Sequence, residues 1–112
     1  MDYLPISYER FKKEFPEIEK GFENLASQCH AAGPLDEKTR RLVKLGIAIG
    51  MGSQGAIKSH TRRAIHMGIS PEEIRHVVLL SLTTIGFPKM ISALNNVLEA
   101  FEEGPTKHFS GD

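Results

Sequence analysis

Residues 53–60, Ser53-Gln54-Gly55-Ala56-Ile57-Lys58-Ser59-His60, join two helical patterns and place a histidine inside the second. Ser53 follows the Gly50-Met51-Gly52 break and can cap a new helix through its hydroxyl. Positions three, four and seven apart share a helix face, so Ser53, Ala56, Ile57, His60, Arg63, Ala64 and Met67 lie along one side. Apart from Ser53, His60 and Arg63, that side is small or apolar. An imidazole there either does chemistry or packs half-buried.

On the N-terminal side of this run, Asp36 is the N-cap of a helix reaching about Gly50. Its apolar residues, from Leu42, Val43 and Leu45 to Ile47, Ala48, Ile49 and Met51, cover well over half its circumference. Gly46 and Gly50 would let another helix approach closely. On the C-terminal side the helix runs from Gln54 to Met67 and stops at Gly68, a left-handed cap. In Ile69-Ser70-Pro71-Glu72-Glu73-Ile74, Ser70 caps, Pro71 takes the first helical position and Glu73 completes a capping box. Ile69 can staple onto Ile74.

The helix that follows extends to about Ile85. Its Val77-Val78-Leu79-Leu80-Ser81-Leu82 run is apolar nearly all round and must be buried on several sides. Gly86-Phe87-Pro88 breaks it, and Pro88 opens a last helix to about Glu103, buried through Ile91, Leu94, Val97, Leu98 and Phe101. Gly104-Pro105 stops that helix, and 106–112 is a polar tail expected to be mobile.

At the N-terminus, Ser7 can cap a short helix from Tyr8 to Phe15, and Pro16 suits the first turn of another. Phe11, Phe15, Ile18, Phe22, Leu25 and Cys29 form a continuous apolar stripe, which predicts a packed, inert Cys29 thiol. Ala31-Ala32-Gly33-Pro34 ends the segment.

No segment alternates with the period of a strand. The pattern predicts an all-α fold, a compact bundle of five to six helices without internal repeats. One domain comprises an N-terminal helical segment (1–35), a helical core (36–103) and the tail (104–112). A chain of 112 residues buries roughly two thirds of its unfolded surface. It cannot easily surround two almost wholly apolar helices by itself, so an obligate homo-oligomer is expected.

Net charge is zero, so no bulk field points to nucleic acid or a membrane surface. The distribution is uneven. Residues 36–68 carry seven basic and two acidic side chains, net +5, between flanks of net −2 and −3. Either the blocks neutralise one another or the basic block holds an anion. The single cysteine, Cys29, forms no intrachain disulfide, which suits a reducing cytoplasm. The N-terminus lacks the apolar core of a signal peptide, and the longest apolar run is too short to span a bilayer.

There is no His-Glu-x-x-His pair, no Cys-x-x-Cys and no phosphate-binding glycine loop after a strand. His30, His60, His66, His76 and His108 show no ligand spacing on a helix, so no metal site is expected. Ser59 and Ser53 are not positioned as nucleophiles for His60. Adjacent helical residues point about 100° apart, and seven residues span roughly 10 Å.

Leu35-Asp36-Glu37-Lys38-Thr39-Arg40, the apolar helix, His60-Thr61-Arg62-Arg63-Ala64, Gly68 to Ile74 and Gly86-Phe87-Pro88 together resemble the carboxymuconolactone decarboxylase family, which shares the alkylhydroperoxidase D-like fold. The resemblance covers about Asp36 to Phe101. It implies an all-helical subunit and a homo-oligomer, a trimer of dimers being favoured. The peroxidase branch carries Glu-x11-Cys-x-x-Cys-x-x-x-His. On this chain the glutamate position is Arg41, the cysteine positions are the degenerate Ser53 and Ala56, and only His60 remains. Thiol chemistry needs a thiolate, so the resemblance gives no dithiol peroxidase at this site.

The decarboxylase branch, which also lacks the cysteines, is nearer. Its implied reaction needs no cofactor: the protein holds an anionic substrate, stabilises developing enolate charge and supplies a proton. His60 is then the candidate catalytic acid, and Arg41, Lys44, Lys58 and Arg63 the candidate carboxylate-binding residues. Arg41 departs from the glutamate usual in this branch too.

The leading expectation is a decarboxylase or related lyase acting on a small carboxylate or lactone. The alternatives are a non-catalytic binding or assembly module, and a peroxiredoxin-type activity despite the missing cysteine pair. An ordered water or ligand bridging His60 and Arg41 inside a closed pocket would favour the enzyme. A dry, filled contact would favour the module.

Overall fold

Tyr3–Glu14 (α1) and Pro16–Ala31 (α2) precede Glu37–Met51 (α3), Gln54–His66 (α4), Pro71–Leu80 (α5), the single turn Leu82–Ile85 (α6) and Phe87–Glu103 (α7) in the computed structural model, which describes residues 3–103. The expected all-α bundle is what forms. No strand occurs among the described residues.

The caps were legible in advance. Asp36 Oδ1 accepts from the Thr39 amide at 2.8 Å, and Ser53 Oγ from the Ala56 amide at 3.3 Å. Ser70 and Glu73 exchange both bonds of a capping box, at 3.1 Å and 3.0 Å. Gly52 and Gly68 take the left-handed conformation that closes α3 and α4, with φ of 70° and 86°. A Cβ added at Gly46 would lie 3.8 Å from Val77 Cγ1, so α3 and α5 do approach closely there.

The core lies where α3, α4, α5 and α7 meet. Leu45, Ile49, Ile57, Ala64, Ile74, Val78 and Val97 are buried together, and Ile69 joins Ile74 in that cluster. Between α4 and α7, Arg62 is buried and held by Glu103 of α7. The charged hydrogen bonds to that carboxylate let the guanidinium leave water.

Three expectations need correction. Helix α1 starts at Tyr3, so Ser7 lies inside it and is not its cap. The chain turns at Ser81, which splits the expected long helix into α5 and α6; Ser81 Oγ donates to the Val78 carbonyl at 2.6 Å. A serine hydroxyl that back-bonds to the preceding turn competes with helix propagation.

The third concerns the N-terminal stripe. Ile18, Phe22 and Leu25 are 60%, 62% and 56% exposed, and Cys29 is exposed as well. A thiol packed within the subunit is therefore not what forms. Instead α2 is tied to α1 from its other face, where Tyr8 donates to Glu19 and, at 3.3 Å, to Glu23. The Glu19 carboxylate is held below its usual range chiefly by the Tyr8 bond, and the phenol is pushed up for the same reason. The expected polar tail, 104–112, lies outside the described residues.

Candidate functional site

Helix α3 presents Arg41 and Lys44, three residues apart, on the side that faces α4 and the end of α2. Helix α4 presents His60 and Arg63, also three apart. Ser53 sets the register of α4 by capping it, which occupies its hydroxyl. Ala56 is half-buried one turn before His60. Neither former redox position offers a reactive group.

Arg41 Nη1 donates to His60 Nδ1 at 2.8 Å. A guanidinium is always a donor, so Nδ1 is the accepting nitrogen and the proton of the neutral ring sits on Nε2. Burial, followed by the charges of Arg41, Arg63, Lys44 and His30, drives the His60 pKa down to about 4. Lys44 Nζ lies 2.7 Å from His30 Nε2. Burial first, then the Lys44, Arg40, Arg41 and Arg63 charges, lowers His30 as well. Burial and the neighbouring guanidinium groups likewise lower Lys44.

The result is a basic cluster of His30, Arg41, Lys44, His60 and Arg63 at the junction of α2, α3 and α4. Next to it, Cys29, His30, Gly33, Leu35, Arg40, Val43 and Lys44 line a cavity of about 210 Å³. Such an arrangement attracts an anion, because concentrated positive charge in a half-buried setting is weakly screened.

Of the expected ligand-holding residues, Arg41, Lys44 and Arg63 come together around His60. Lys58 does not. It sits on the α7 side of α4, 2.9 Å from Glu99 and 3.8 Å from Glu103, because residues two apart on a helix point to nearly opposite sides. His30 completes the cluster without having been a candidate ligand-binding residue. No local pattern marks it, since it reaches the site only when the end of α2 folds beside α3. Among the described residues, no group of three or more His, Cys, Asp or Glu side chains could hold a metal ion, and no helix is long and apolar enough to cross a membrane.

Residues 16–99 match the model of the carboxymuconolactone decarboxylase family. A crystal structure of an apo carboxymuconolactone decarboxylase family protein from Legionella pneumophila is similar with a TM-score of 0.78 at 29% identity, covering 92% of this chain and 91% of that one. An uncharacterised protein of Methanocaldococcus jannaschii is 34% identical over 99 residues, 88% of this chain and 92% of its own. A nitrosuccinic acid decarboxylase of Metarhizium robertsii is 40% identical over 60 residues, 54% of this chain and 42% of that enzyme.

Proposed function

We propose, for a chain that belongs to the carboxymuconolactone decarboxylase family, that the basic cluster binds a small carboxylate and that the protein is a cofactor-independent decarboxylase or related lyase. The observation that carries this reading is the gathering of Arg41, Lys44, Arg63 and His30 around His60. Similarity to a nitrosuccinic acid decarboxylase supports it.

Ligand binding exchanges partners. The substrate carboxylate takes the Arg41 guanidinium, which frees His60 Nδ1. The added negative charge then favours imidazolium over imidazole. His60, neutral in the empty site, becomes a proton donor where carbanion or enolate character develops after CO2 leaves. Arg41, Lys44 and Arg63 stabilise that negative charge.

The direct Arg41–His60 contact also favours a second reading, a non-catalytic binding or assembly module, because it fills the space between the two groups. Both readings involve association of subunits. Ile18, Phe22 and Leu25 on α2, Ile47 on α3, Leu79 and Leu80 on α5 and Phe87 on α7 stand exposed in the single chain, as side chains that a second copy would cover do. A trimer of dimers is the assembly proposed.

A thermal-shift screen of small carboxylates, followed by measurement of CO2 release from each hit, separates the two readings. The enzyme binds a carboxylate and releases CO2 from it. Stabilisation without CO2 release supports the module, and no stabilisation by any carboxylate removes the anion-site reading.

A further inference from the structure

We propose that Lys44 is a site of reversible carbamylation, its amine adding CO2 in the cavity it shares with His30. The amine lies 2.7 Å from His30 Nε2, and both side chains line the cavity of about 210 Å³. That space is roughly seven times the volume of a water molecule in the liquid, ample for a group of three heavy atoms.

The charges around Lys44 come from three helices. Helix α2 supplies His30 and Cys29, α3 supplies Arg40 and Arg41, and α4 supplies Arg63 and His60. The three guanidinium groups remain charged at any relevant pH. Each opposes an ammonium at Nζ, and burial opposes it more strongly still; Cys29 acts in the opposite sense. The same guanidinium charges attract a carbamate. Carbamylation replaces a cation among cations with an anion among them.

The step needs only CO2, which is in equilibrium with dissolved bicarbonate. The neutral Nζ donates its lone pair to the carbon of CO2, an N–C bond forms, and one C=O π pair moves onto oxygen. The amine loses one proton, giving Lys–NH–COO⁻ and H⁺. His30 Nε2 is the nearest acceptor for that proton, which passes on to solvent. Nothing is oxidised or reduced, and reprotonation of the nitrogen expels CO2. The new anion raises the His60 pKa from its depressed value and takes Lys44 out of the cations around it, so the modification opposes a bound carboxylate. None of this depends on the protein being a decarboxylase.

The test uses the full chain with isotope-labelled lysine nitrogen, equilibrated with isotope-labelled bicarbonate at mildly alkaline pH and observed by carbon NMR. A carbamate carbon coupled to a lysine nitrogen is expected. It disappears completely in Lys44→Arg and Lys44→Gln and persists in Lys58→Arg, whose site is occupied by Glu99 and Glu103. Trapping by O-alkylation and peptide mass spectrometry maps the modification to Lys44. Bicarbonate without coupling to lysine nitrogen in the folded wild-type protein overturns the proposal, as does a coupled signal that survives in a folded Lys44 variant. The wild-type spectrum is decisive even if both variants misfold.

Discussion

Arg41 Nη1 and His60 Nδ1 meet at 2.8 Å, and this contact sets the tautomer of the imidazole while burial and the nearby cations keep it neutral. A permanent cation donating to Nδ1 leaves the ring neutral with its proton on Nε2. The same contact must open before His60 can accept a proton at Nδ1, so guanidinium and imidazole act as one unit. In the proposed binding step, the carboxylate that separates them also charges the histidine.

Carboxylate affinity should follow from this pairing. Empty, His60 titrates at about 4; with an anion bound, it titrates higher. Binding therefore takes up a proton, and affinity rises as pH falls through the liganded pKa, levelling off below the unliganded one. His60→Gln should weaken binding and remove this dependence. Arg41→Ala should weaken it about 10- to 150-fold at every pH, the ~1.5–3 kcal/mol of a charged hydrogen bond. Titration calorimetry with one carboxylate at two pH values checks both. Unchanged affinity in both variants would leave His60 as a packing residue.

Acid stability should depend on the same ring. The folded pKa of about 4 lies below the ordinary 6.5, so at intermediate pH the unfolded chain binds more protons than the folded one. The group costs no stability above its unfolded pKa, and stability falls as pH drops from about 6.5 towards about 4. The lowered pKa of His30 acts in the same direction. Urea melts across this window should show a shallower pH slope for His60→Gln than for the parent.

Peroxide turnover with a dithiol reductant should match a protein-free blank. Ser53 and Ala56 carry no thiol, and Cys29 lies on a different helix, α2. Cys29→Ser should fold like the parent. A peroxidase activity abolished by that substitution would instead make Cys29 a relocated nucleophile.

Ser53 has a structural task that substitution can isolate. Ser53→Ala should cost about 1 kcal/mol by removing the cap on Ala56, while Ser53→Asp should keep most of the stability. Neither should change carboxylate affinity more than stability requires. Denaturant midpoints measured alongside binding distinguish a cap from a ligand contact.

Assembly should depend on the exposed apolar faces. Sedimentation at micromolar concentration should give a mass several times 12.5 kDa, most consistent with six subunits, and Leu80→Glu or Phe22→Glu should lower it. A parent that sediments as a monomer would remove the proposal.

Local chemistry determined most of the architecture. Asp36, Ser53 and Ser70 cap helices because their oxygens reach an amide three residues on, a relation contained in the chain itself. Gly52 and Gly68 end helices because only glycine enters the left-handed region without strain. The apolar faces of α3, α4, α5 and α7 followed from helical period, though not which face meets which. By contrast, only tertiary structure decided which charges meet. Lys58 and His60 are two residues apart, yet one faces the carboxylates of α7 and the other the guanidinium of Arg41. His30 and Lys44 come within 2.7 Å only because the chain after α2 turns so that the end of that helix reaches α3. Helical period fixes the angle between neighbours on one helix; the partner each side chain finds is set by how separate helices pack, which no local spacing encodes.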